Sequence, residues 1–218
     1  MLLNEKAISS TLIRLGGLLA IVGGLAATTL GLLYVFQAWG MALDFTATPL
    51  QKGHYQTPVA TILVIGVLAA IAALHIVQRR QYGWWEALIS IAASAGVAMV
   101  VIGFFVSGLV PDTAFLLGIA GLLTVGVVVA STGIVLLGIV TITARVLPRW
   151  CGIALIAGSP PGVAILFMFL APLAMVVGNL PPGSGQVGWA LAGIPWIVVG
   201  YAVFRAATHQ TELSSRVQ

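Results

Sequence analysis

The chain has 218 residues, of which 60% are hydrophobic and only 6% charged, and its mean hydropathy is +1.13. Soluble domains run at about 45–50% apolar and about 25% charged, so no soluble core could hide this surface and lipid must be the solvent for most of it. Nine Lys and Arg against five Asp and Glu leave a formal charge of +4, but the basic residues do not cluster into a nucleic-acid face, and the single cysteine, Cys151, excludes an intramolecular disulfide and a cysteine-built metal cage.

Residues 1–10 form a short polar lead with Glu5 and Lys6. After Arg14 comes an apolar run over 15–38, too long for the core of a signal peptide, which reads as a first spanning helix. Gly16-Gly17 and Gly23-Gly24 recur seven residues apart in it. Two helical turns separate them, so they form a flank without side chains where a neighbouring backbone can approach. Residues 39–56 are the longest polar connection, holding Asp44, Lys52 and His54.

The second span is expected over 58–77, with His75 near its end and Gln78-Arg79-Arg80-Gln81 as a tight basic turn. Trp84, Trp85 and Glu86 open a third span over 84–110. Its Ser90, Ser94 and Ala98 fall at i, i+4 and i+8, a second small-residue stripe. Pro111-Asp112 suits a helix start, leading into a fourth span over 114–144. Gly118, Gly121, Gly126, Ala130 and Gly133 line it, beside Ser131 and Thr132.

Arg145 and Arg149 flank Leu147-Pro148, and Trp150 follows; guanidinium groups and indoles favour the headgroup region. The Ser159-Pro160-Pro161-Gly162 stretch lies roughly 16 Å further along a helix, about half of a ~30 Å hydrocarbon core. Each proline lacks an N–H and clashes with the preceding turn, so the fifth span, over 150–178, should be kinked or broken at Pro160-Pro161. The Ile156 and Ala157 carbonyls then need other donors, expected from Ser131, Thr132 or an ordered water. After an uncharged loop over 179–186, a sixth span covers 187–204, with Pro195 inside it and Trp196 away from the interfaces. The remainder, 205–218, reads as a polar, mobile tail.

The expected architecture is therefore all-α: one domain, 1–218, a polytopic membrane bundle of six transmembrane helices. Lys6, Arg14, Arg79, Arg80, Arg145, Arg149, Arg205 and Arg216 then fall on one side, eight of the nine basic residues, with Lys52 opposite. The positive-inside rule puts that side, and both termini, in the cytoplasm. The segment R-x-L-P-R-W-x-G, residues 145–152, resembles one found in uncharacterised bacterial six-helix integral membrane proteins. That resemblance implies the same architecture and a bacterial inner (plasma) membrane, and carries no activity or site residues with it.

Ionisable groups inside a bilayer are costly and usually functional, yet this sequence puts almost none there. His75, Arg79, Arg80 and Glu86 form an interfacial polar cluster, read either as a proton or headgroup site or as charge balance around a basic turn. The broken helix supplies the other candidates for substrate or lipid binding: Ser159, Pro160 and Pro161, with Ser131, Thr132 and Trp196 near the same depth. No catalytic motif, metal site or cofactor is expected. The expected partners are membrane lipids, and other membrane subunits or a second copy through the glycine-rich faces. The leading expectation is a non-enzymatic accessory subunit or a binder of lipid-like hydrophobic molecules. The alternative is a small carrier or channel for a neutral or amphipathic solute, using the broken fifth helix.

Overall fold

The computed structural model describes residues 2–38, 56–107, 113–159, 162 and 187–215. Its elements are six helices: α1 (Leu2–Ala38), α2 (Gln56–Tyr82), α3 (Trp84–Ser107), α4 (Thr113–Ala144), α5 (Arg149–Gly158) and α6 (Val187–Ser215). Five of them contain apolar stretches of 19 to 24 residues, Ser10–Leu33, Pro58–Arg79, Trp84–Gly103, Gly121–Ala144 and Ala190–Thr208. At 1.5 Å per residue these are long enough to cross a hydrocarbon core of ~30 Å. Among the described residues the fold is all-helical, and its five apolar helices make the protein a multi-pass membrane protein. Pro160, Pro161, the 39–55 connection with its Asp44, Lys52 and His54, and the 179–186 loop lie outside the described residues.

Three boundaries differ from the sequence expectation. Helix α1 already starts at Leu2, within the stretch read as a polar lead. The Gln78-Arg79-Arg80-Gln81 stretch is not a turn but the last part of α2, which runs on to Tyr82. The stop is Gly83, at φ +59. Its N–H bonds the Arg79 carbonyl at 3.2 Å, the left-handed closure that glycine adopts without Cβ strain. At the other end of the chain, α6 continues to Ser215, through the stretch read as a mobile tail. Helix α4 stops with Arg145 at φ 55, a conformation that costs a non-glycine residue roughly 1 kcal/mol or more. Pro148 then starts α5, its carbonyl accepting from the Cys151 N–H at 2.9 Å.

Glycine sets the packing. Helix α1 lies between α2 and α6, and the two members of each doublet face different neighbours. A methyl group added at Gly16 would lie 2.6 Å from the Ala69 carbonyl oxygen of α2, and one at Gly23 would lie 3.0 Å from that of Ile62. Added at Gly17 and Gly24, it would lie 2.7 Å and 2.6 Å from the carbonyl oxygens of Gly200 and Gly193 in α6. As the α1 number rises by seven its α6 partner falls by seven, so the two helices are antiparallel. Gly133 meets Ala93 and Gly126 meets Met99 between α3 and α4, and Gly138 meets Gly152 between α4 and α5. These pairs are antiparallel too, and they gather Arg14, Arg79, Arg145, Arg149 and Arg205 at one end of the bundle.

Helix α5 starts at that basic end and ends at Gly158, ten residues on. Ser159 is extended, at φ −69 and ψ 152, as expected of a residue before proline. Gly158 packs against Pro195 of α6, two residues from Gly193 and so at the level of Gly24, near the middle of the α1 span.

The close approaches make a direct prediction. Gly24→Val should collide with the α6 backbone and lower the unfolding temperature in detergent, at the overpacking cost of roughly 1–3 kcal/mol. Gly121 has nothing within 4 Å of its added methyl position, so Gly121→Ala should unfold within a degree or two of the wild type (about 0.5 kcal/mol or less).

Candidate functional site

Gly83 folds α3 back from α2 and brings two short side-chain ladders together at the basic end. His75 and Gln78 are three residues apart on α2, and Glu86 and Ser90 four apart on α3, so each pair shares a face. His75 Nδ1 lies 2.5 Å from Glu86 Oε2. Ser90 Oγ donates to Glu86 Oε1 at 2.7 Å. Beside them Gln78 Nε2 donates to Thr141 Oγ1 of α4 at 2.7 Å, and Thr141 donates to the Leu137 carbonyl at 2.7 Å. Glu86, Gln78 and Thr141 are 0% exposed, while the His75 side chain is 35% exposed.

Of the expected interfacial cluster, then, His75 and Glu86 do meet, and the carboxylate is fully buried rather than at the surface. Arg79 is exposed, one helical turn beyond His75, and Arg80 sits in the same final stretch of α2. The Gln78–Thr141 pair joins residues 63 apart. Its only signal in the sequence is that both are polar residues near the basic end of an apolar helix.

Helices α2 and α3 pack on each other far less than α3 does on α4. A groove of about 560 Å³ opens between them. Leu68, Ile71 and Ala72 line it from α2, and Ile91, Ala95 and Ala98 from α3; His75 and Ser90 are among its polar lining. Ala72, Ile91 and Ala95 are exposed, so the groove opens sideways on the outer surface of the bundle. The Ser90, Ser94, Ala98 stripe belongs to this groove. Helix α3 packs on α4 through a different face, with Ala93, Gly96 and Gly103.

At the other candidate site, Ser159 is 0% exposed. Its hydroxyl donates to the Ile156 carbonyl at 2.5 Å and accepts from the Gly162 N–H at 3.3 Å. The donor expected from Ser131, Thr132 or water is thus supplied to Ile156 by Ser159 itself. Ser131 donates instead to the Val127 carbonyl and Thr132 to that of Val128, bonds internal to α4. Trp196 is buried at 4% exposure, its Nε1 3.7 Å from a methyl added at Gly158. Pro160 and Pro161 are outside the described residues. Among the described residues no three His, Cys, Asp or Glu side chains come together to hold a metal.

The Gln78–Thr141 pair can be tested by its asymmetry. Thr141→Val strands the Gln78 amide, whose Oε1 already has no partner, and should cost roughly 1–3 kcal/mol. Gln78→Leu leaves Thr141 its bond to Leu137 and should cost less. Denaturant unfolding in detergent measures both; a larger loss for Gln78→Leu would contradict the assignment.

Set against known proteins, the chain matches no protein-family model, no curated protein and no solved structure. The resemblance over residues 145–152 therefore assigns no family.

Proposed function

We propose that the protein is a non-enzymatic membrane bundle that holds a lipid-like amphiphile in the groove between α2 and α3. The carrying observation is that groove: about 560 Å³, within the usual range of ligand pockets, apolar along its length apart from Ser94, open sideways, and ending in His75 and Ser90. A site shaped in this way offers an acyl chain a dry wall and its head a polar stop. The Ser90 hydroxyl is bonded to a carboxylate that His75 also engages, and the non-enzymatic reading takes this cluster as a polar stop and structural joint rather than as a nucleophile with its base.

The same proposal includes six spans in a bacterial inner membrane, with the basic end cytoplasmic. Parity supports the count. Helix α5 leaves the basic end and α6 returns to it, which supports an outward crossing between them by a fifth span broken near Ser159. Partnership through glycine-rich faces gains less support, because the α1 doublets are covered by α2 and α6. The carrier reading also gains less, because Ser159 is 0% exposed and its hydroxyl is bonded within its own turn.

Two measurements check this reading. After extraction in mild detergent, native mass spectrometry should show the wild type carrying lipid and Ala72→Trp, which fills the groove, carrying markedly less; equal retention would contradict the groove. For topology, single cysteines at Ser10, Gln81, Gln186 and Ser214 in a Cys151→Ser background should be probed on intact cells with an impermeant thiol reagent. Only the cysteine at position 186 should react, and labelling at 81 without 186 would reverse the orientation.

A further inference from the structure

We propose that the lipid in the α2–α3 groove is a phospholipid of net negative charge, and that His75 and Arg79 bind its phosphate. This rests on the groove being a lipid site, and it adds the chemistry of the headgroup.

The Glu86 carboxyl group is 0% exposed, held by Ser90 on one oxygen and His75 on the other. A charge so buried must be offset by its partner, and His75 is the only basic side chain bonded to it among the described residues. With Nδ1 bonded to Glu86, Nε2 is the ring nitrogen of His75 left for a ligand, on a ring that lines the groove.

Arg79 lies four residues further along α2, on the same face and about 6 Å nearer the surface, and its side chain is exposed. A guanidinium presents donors only. The Ser90 hydroxyl hydrogen is already committed to Glu86. The groove's lining ends at His75 and the cationic Arg79 stands one helical turn beyond it, which suits an acceptor-rich, negatively charged head. A zwitterionic head would bring its ammonium group toward the same arginine. Depth agrees as well. Trp84 and Trp85 stack with ring centroids 3.9 Å apart and are 61% and 60% exposed, the setting of indoles at headgroup level. His75 and Glu86 lie just inward of them. Charge complementarity extends beyond the site, since Arg14, Arg145, Arg149 and Arg205 share this end of the bundle.

The test uses the full chain in mild detergent, with equimolar phosphatidylglycerol and phosphatidylcholine of identical acyl chains, read by native mass spectrometry. The wild type should retain phosphatidylglycerol over phosphatidylcholine by about tenfold. Arg79→Gln, at an exposed position outside the packed core, should cut that preference roughly fivefold, the contribution of one basic residue near anionic headgroups. His75→Ala combined with Arg79→Gln should bring it to about one, with lipid still bound. Equal retention of the two lipids by the wild type, or an undiminished preference in Arg79→Gln, overturns the headgroup assignment and leaves the groove standing. Retention of both lipids unchanged in Ala72→Trp and in Ala95→Trp, which fill the groove from opposite walls, overturns the groove itself.

Discussion

Hydrocarbon offers a helix no water to bond and no hydrophobic drive toward a neighbour, so helices stay together where their backbones can touch. Here that condition is met by α1. Gly16 and Gly23 admit α2 on one side, and Gly17, Gly24 and Gly31 admit α6 on the other. The reciprocal close approach of Gly24 and Gly193, and of Gly17 and Gly200, fixes the antiparallel register of α1 and α6. Once it is fixed, the basic ends of these helices are level. A second glycine-built unit, α3 on α4, is extended by α5 through Gly138 and Gly152, and α5 in turn rests on α6 through Gly158 and Pro195.

The groove follows from where this kind of contact is missing. Helix α3 turns its Ala93, Gly96 and Gly103 face toward α4, and its contact with α2 is much the smaller of the two. There the joint is polar: His75 with Glu86, Ser90 with Glu86, and Gln78 with Thr141 one helix further on. Such a joint is directional and local, and it leaves the rest of the α2–α3 boundary open to lipid. The one strongly polar cluster of the described bundle therefore ties the two units together and also forms the closed end of the groove.

Part of this was legible in the sequence. Glycine doublets seven residues apart announced a side-chain-free flank on α1, and the charge pattern announced a basic end. Residue spacing could not show that the doublet splits, one glycine to each neighbour, because that depends on where α2 and α6 stand around α1. Gln78 read as a turn residue because two arginines follow it. Yet nothing in that stretch breaks a helix before Gly83, so α2 carries Gln78 into the core to meet a threonine 63 positions away. His75 and Glu86 were legible as neighbours because they lie on either side of that turn. The burial of Glu86 was not, since it depends on Ser90 one turn further and on the packing of α4. At Ser159 the following prolines marked the end of the helix. The local remedy, a serine hydroxyl serving both Ile156 and Gly162, was passed over for donors on another helix.

Everything proposed of function depends on the groove between α2 and α3. Its most direct measurement is an experimental map of the protein in a lipid bilayer mimic, at a resolution that shows side chains. Elongated non-protein density should lie along Ile71, Ala72 and Ile91, with its head beside His75 and Arg79. Helices α2 and α3 closed on each other along that length, with His75 apart from Glu86, would contradict it.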